Sequence, residues 1–206
     1  INGGKLQALA FIDEKSMDTR NWGSSKIQKR KLYTVKWIDI KNRKSPGDDL
    51  RYQGYNNGCA QFARPEGMWQ HNGEIFFTCT SGGKNKLGQI WKYKPSPDEG
   101  KSAEQKNPAT LELFFESNDA KSLDMCDNIT VAPWGDVIIC EDGRGVDHLV
   151  GIRPNGKSYQ IAKNALNKSE FAGACFSHDG NTLFVNIYKP TITLAITGDW
   201  DKFRKA

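Results

Sequence analysis

The chain has 206 residues, a net charge of +5 and a mean hydropathy of −0.65. This length suffices for one domain with a sizeable core, and no apolar run reaches the ~18 residues of a membrane span. We therefore predict no membrane span. Basic residues are scattered, without an organised basic and aromatic surface motif, which predicts no nucleic-acid partner. The five cysteines include no C-x-x-C pair, which argues against a zinc ribbon or a disulfide framework.

The first part of the chain alternates between strand signals and polar loops. Residues 6–13 and 32–40 are apolar or alternating, which predicts two strands. Residues 17–30 and 41–57 are polar and predict loops. We interpret residues 1–63 as the end of a preceding blade plus loops.

A repeated unit then begins, consisting of an apolar strand, a tight turn and a second apolar strand. In each copy the turn glycine follows the first position by seven residues: Glu66 to Gly73, Asn128 to Gly135, and Gly173 to Gly180. The copies are spaced by 62 and 45 residues. A repeat of roughly 40–50 residues built from short strands is typical of a β-propeller.

The complete units cover residues 66–116, 128–163 and 172–197. We predict an all-β fold in which residues 1–206 form a single partial β-propeller domain of about three to four blades. Closure of a propeller takes roughly four to eight blades, and open sheet edges are otherwise exposed. The ring is therefore expected to need a missing N-terminal half or a second copy. No segment has the period of an amphipathic helix.

Polar residues recur where the first strands begin and where the second strands end. In a propeller the first strands line the central channel, so these residues are expected to converge. Carboxylate and amide oxygens suit Ca²⁺, and a thiolate or imidazole in addition would suit iron or manganese. The candidates are Glu66, Asp127, Asn128 and Glu170 at the strand starts, with Glu141, Asp142 and Asn186 after the second strands.

Three long motifs resemble the PhoX-type alkaline phosphatase family. They are FARPEGM at residues 62–68, DNITVAPWG at 127–135 with ICEDG at 139–143, and SEFAGACFS at 169–177, continuing through 179–186 to 196–198. Together they span most of residues 62–200. The resemblance implies the C-terminal half of a six-bladed propeller that hydrolyses phosphate monoesters with iron and calcium.

The resemblance also implies roles for individual residues. Members are exported folded, so a periplasmic or extracellular location is expected, although no export signal is seen in this chain. The family's N-terminal half supplies further ligands, including a cysteine, and Cys59 and Cys126 are not assigned to that role. The implied roles are metal ligands for Glu66 and Glu170, calcium ligands for Asp127, Asn128 and Glu141, and a phosphate contact for Lys168.

Three functions follow as hypotheses. The first is a Ca²⁺- and Fe³⁺-dependent phosphate ester hydrolase, completed by further blades. The second is a calcium-dependent lactonase or other ester hydrolase of propeller fold. The third is a non-catalytic propeller binding module with an incomplete metal site.

Overall fold

The computed structural model describes residues 4–204, which are predominantly β-strand. This confirms the predicted all-β fold. The strands are β1 Gln7–Phe11, β2 Leu32–Asp39, β3 Pro65–His71, β4 Glu74–Cys79, β5 Gln89–Lys94, β6 Ala109–Glu116, β7 Cys126–Val131, β8 Val137–Glu141, β9 His148–Ile152, β10 Ser158–Lys163, β11 Phe171–Phe176, β12 Thr182–Ile187 and β13 Ile192–Thr197. The helices are α1 Leu50–Asn56, a 3₁₀ helix at Ser102–Gln105, and α2 Asp201–Arg204.

Within residues 4–204 the strands form three antiparallel sheets. Sheet one has the order β1-β2-β6-β5-β4-β3, sheet two β10-β9-β8-β7, and sheet three β11-β12-β13. Short turns join neighbours in each sheet, as at Asn72-Gly73, where both residues have positive φ. Glycine and asparagine favour this left-handed conformation, which a two-residue hairpin turn needs.

The first two strands, which we interpreted from the sequence as the end of a preceding blade, pair into sheet one. β1 pairs with β2, and β2 pairs with β6 from Leu32↔Glu112 to Val35↔Ala109. They therefore extend sheet one at its outer edge. The physical reason is burial, because Phe11 and Val35 join the same apolar cluster as the strands of sheet one.

The loop predicted at residues 41–57 contains the short helix α1. Gly54 is its buried residue, and a Cβ at Gly54 would lie 3.7 Å from Cys59 and 3.8 Å from Ala8. The helix thus packs closely against β1. Its seven residues are too few for an amphipathic period to be visible in the sequence.

Apolar layers separate the three sheets. Phe76 and Ile90 of sheet one pack with Ile129 of sheet two, and Leu149 of sheet two packs with Val185 of sheet three. The other face of sheet one is covered by the N-terminal loops. In residues 4–204 we find no helix with the length and apolar character needed to cross a membrane.

Candidate functional site

The first strands of the three repeated units, β3, β7 and β11, lie side by side. β3 contacts β7, and β7 contacts β11. A Cβ at Gly67 would lie only 2.7 Å from the Asp127 carbonyl oxygen, so glycine permits this approach. The buried Thr78 hydroxyl donates to the same oxygen at 2.6 Å and accepts from the Gly67 N–H at 2.9 Å. This arrangement fixes the start of β3 against the start of β7.

Each of these strands carries a β-bulge at the same point of the repeat. The pairing register shifts by one residue between Pro65 and Met68, between Cys126 and Ile129, and between Ala172 and Cys175. A bulge bends the strand and redirects the side chains next to it. The bulges therefore set the direction of the polar residues that the sequence singled out.

Asn128 links the second bulge to the third. Its Oδ1 atom accepts a hydrogen bond from the Gly173 N–H at 2.9 Å. Gly173 has a φ of 62°, a left-handed conformation that glycine adopts without steric cost. One carboxamide oxygen lone pair remains for another partner.

Carboxylates from several strand ends meet beside these bulges. Burial, followed by the charges of Glu66 and Asp142, raises the pKa of Asp127. Burial, followed by Asp142 and Asp127, raises the pKa of Glu170. Asp127 and Glu170 thus share Asp142 as a charged neighbour, and we call Glu66, Asp127, Asp142 and Glu170 the acidic cluster. Their mutual repulsion is the environment that a bound cation would relieve.

Asp147 lies beside the acidic cluster as a further buried carboxyl group. Burial and the charges of Glu141, Asp142 and Asp124 raise its pKa to about 6, although its hydrogen bond from the Gly143 N–H acts in the opposite direction. That hydrogen bond is 2.8 Å long.

One guanidinium group lies among these carboxylates. Arg64 is 4.0 Å from Glu66 and 3.8 Å from Asp142, and its side chain is half-exposed. Its charge lowers the pKa of Asp127 against the opposing effects. In the sequence analysis Arg64 stands only within a motif, and Asp142 is among the candidate oxygen ligands without a role implied by family resemblance. The sequence features that could have indicated a role for them are the position of Arg64 two residues before Glu66 and that of Asp142 directly after Glu141.

Glu141 is engaged within the protein. Its side chain is almost fully buried, and one oxygen accepts from the Asp124 N–H at 2.8 Å. The other accepts from the His148 N–H at 2.8 Å and contacts His148 Nδ1 at 2.9 Å. Burial raises its pKa, and these hydrogen bonds partly offset that rise. Glu141 therefore holds two loops at the edge of the acidic cluster.

Lys168 lies in a cleft that opens beside the acidic cluster. The cleft has a volume of about 520 Å³, and Glu170, Asp142 and Asp147 line it together with Lys168 and Lys189. The structure thus brings Lys168 and Glu170 to one cavity. Asp127 is linked to this cavity because its charge acts on Glu170, and the charge of Glu66 in turn acts on Asp127.

The donor set fits part of a coordination shell for a hard cation. Carboxylate and amide oxygens are the ligands that Ca²⁺ prefers. Among residues 4–204, however, no three His, Cys, Asp or Glu side chains are close enough to form a metal site by themselves. Burial raises the pKa of Cys126 and Cys140 to about 12, so both are protonated thiols at neutral pH when no metal is bound.

Three stacked antiparallel sheets with carboxylates and an arginine at one end define an all-β protein with a polar, cation-compatible cleft. The sequence model of the family described as Alkaline phosphatase PhoX matches residues 1–191. The chain belongs to this family of phosphatases.

The fold agrees with a solved structure of the family. The chain matches the structure of Pseudomonas fluorescens PhoX in complex with vanadate, a transition state analogue, with a TM-score of 0.67 and 17% sequence identity. The match covers 95% of this chain and 44% of that chain. The chain therefore spans less than half the length of that relative. A comparison with curated proteins gave no match.

Proposed function

We propose that this chain carries part of the active site of a metal-assisted phosphate monoester hydrolase. Membership of the PhoX family supports this proposal. The observation that carries it is the position of Arg64, whose guanidinium lies among carboxylates of the acidic cluster. A guanidinium can bind two phosphate oxygens at once, while carboxylates hold cations on the other side of the same phosphate.

The metal ligands in this proposal are Glu66, Asp127, Asn128 and Glu170, with Asp142 added. Bound Ca²⁺ and Fe³⁺ would neutralise phosphoryl oxygens and lower the pKa of an oxygen nucleophile. Glu141, predicted as a calcium ligand, would also have a positioning role, because its two oxygens accept hydrogen bonds from the Asp124 and His148 N–H groups.

The chain's own residues would bind and orient the ester. Arg64 would align the phosphate with the acidic cluster, and Lys168 would contact a phosphate oxygen from the cleft. The Thr78 contact between Gly67 and Asp127 would keep the two carboxylates Glu66 and Asp127 in fixed register. Such positioning lowers the entropic part of the barrier.

The remaining ligands would come from outside this chain. We propose a six-bladed propeller, of which residues 66–116, 128–163 and 172–197 supply three blades. The rest of a PhoX-type polypeptide, or a second copy, would complete the ring. A periplasmic or extracellular location fits a phosphatase that acts on phosphate esters outside the cytoplasm.

Glu66→Gln tests the proposal, because it removes the charge and keeps the size. We expect p-nitrophenyl phosphate hydrolysis with Ca²⁺ and iron present to fall about 100-fold or more, as the loss of a charged active-site contact typically does. Calcium affinity, measured by titration calorimetry, should fall by about tenfold.

Glu14→Gln is the matched control, since Glu14 is an exposed glutamate in a loose ion pair with Lys26. Equal hydrolysis by the Glu66 variant and this control would remove Glu66 from the site. Turnover of a lactone without any phosphate ester hydrolysis would instead favour the lactonase. No binding of Ca²⁺ or iron would favour a non-catalytic module.

A further inference from the structure

The cleft beside the acidic cluster also has basic lining residues. Lys168 and Lys189 line it together with the carboxylates Asp142 and Glu170. Within residues 4–204 neither lysine forms a salt bridge, although carboxylates share the same cleft. Their charges are therefore not already consumed by ion pairs.

The two lysines are held side by side by their neighbours. The Asn167 side-chain N–H donates to the Lys189 carbonyl oxygen at 2.8 Å. The Lys189 N–H donates to the Ser169 hydroxyl at 2.8 Å. Asn167 and Ser169, which flank Lys168, thus form hydrogen bonds to the carbonyl oxygen and the N–H of Lys189. This arrangement places the backbone of Lys189 beside the loop that carries Lys168.

The loop that carries Lys168 is itself anchored in the protein. Asn164 is buried, and its amide donates to Asn167 Oδ1 at 2.9 Å and to the Ser169 carbonyl oxygen at 2.6 Å. Asn167 Oδ1 also accepts from the Ser169 N–H at 2.8 Å. These bonds fix the backbone around both lysines before any ligand arrives, which reduces the ordering cost of binding.

We infer that Lys189, beside the phosphate-contacting Lys168, binds a second anionic group of the substrate, such as a carboxylate or another phosphate. This inference rests on the proposed function, which places the scissile phosphate by the acidic cluster and Arg64. Because Lys189 forms no salt bridge in the part of the chain that the structure describes, an anionic group of the substrate would gain an ion pair with it that a neutral group would not. The preferred substrates therefore carry two anionic groups.

The test compares matched ligands that differ by one carboxylate. Binding of 3-phosphonopropionate and of propylphosphonate, neither of which is hydrolysed, is measured by titration calorimetry on the wild-type chain. We expect the carboxylate to strengthen wild-type binding. Lys189→Ala should reduce this preference about fivefold, the upper end for an exposed ion pair. Lys189→Arg should retain most of it.

Lys157→Ala is the control, because Lys157 is an exposed lysine in the β9–β10 turn and its loss changes the net charge equally. An unchanged preference in Lys189→Ala, or no preference in the wild type, overturns the subsite. Hydrolysis rates for glycerol 3-phosphate and 3-phosphoglycerate distinguish failure of the subsite from failure of the proposed function. Equal hydrolysis of both by the complete protein removes only the subsite, whereas no hydrolysis and no phosphonate binding by the complete protein remove the proposed function as well.

Discussion

Asp147 shows how the neighbouring acidic groups lower the stability of the protein. Its carboxyl group is buried, and burial with the neighbouring acids raises its pKa from 3.8 to about 6. Between these two values the folded state binds more protons than the unfolded state. The contribution of Asp147 to the free energy of unfolding therefore decreases as pH rises through this window, and stays low above it. At neutral pH its charge destabilises the fold.

Asp147→Asn removes that charge and keeps an oxygen that can accept the Gly143 hydrogen bond. We expect the free energy of unfolding at pH 7.5 to rise by about 1 kcal/mol, a value reduced from the full pKa shift to allow for solvent screening. At pH 4 wild type and variant should differ little. Urea unfolding at both pH values measures this, with Asp13→Asn as an exposed control. A variant that is less stable at pH 7.5 would contradict the argument.

The position of a candidate site residue can be predicted from the sequence where the repeat pattern determines it. It cannot be predicted where contacts between distant parts of the chain determine its role. Glu66 and Asp127 stand at recurring strand starts, so the sequence indicated them. The partners of Glu141 are Asp124, in the loop before β7, and His148, the first residue of β9. No local sequence pattern shows that these N–H groups donate hydrogen bonds to the Glu141 carboxylate, so its role could be assigned only from the folded structure.

At the scale of elements, the three bulges determine how the first strands meet. One extra residue in each strand lets β3, β7 and β11 approach with their polar ends together. Gly67 is a close contact that cannot adjust easily, because its neighbours are backbone atoms of β7 that a side chain cannot displace. The acidic cluster depends on this contact.

Gly67→Ala places a methyl group 2.7 Å from the Asp127 carbonyl oxygen and 2.9 Å from the Ile129 nitrogen. We expect the free energy of unfolding to fall by about 1–3 kcal/mol, as overpacking typically costs. Calcium affinity should fall too, because the two strand starts separate. Gly23→Ala is the control, since nothing lies within 4 Å of a Cβ there. Equal stability of the two variants would show that β3 and β7 do not depend on this contact.

Strands within the repeat were predictable because each has a clear apolar run between turn residues. The sheet partners of β1 and β2 were not, since β2 pairs with β6 across more than 70 residues of sequence. Local alternation identifies a strand and one buried face, but it does not specify which sheet receives the strand. The bulges were also hidden, because an inserted residue leaves the apolar pattern nearly unchanged.

At the scale of the whole molecule, the third sheet differs from the first two. Apolar clusters cover both faces of sheets one and two, whereas in residues 4–204 a single cluster covers sheet three, on one face. Phe184 on its other face is 39% exposed and pairs with Ala195 of β13. β13 is an uncharged edge strand, which is the kind of edge that soluble proteins usually protect.

This exposed sheet predicts that the chain associates with itself in solution when nothing else covers it. Ala195→Lys puts a charge on the open face next to the free edge, and burying it against a second copy would cost several kcal/mol. We expect the variant to need at least about tenfold higher concentration to associate, measured by light scattering after size exclusion. Ser24→Lys adds the same charge at an exposed loop distant from β13 in sequence and should behave as wild type. If both variants associate equally, the contact lies elsewhere, and sheet three is not the surface at which further blades or a second copy complete the molecule.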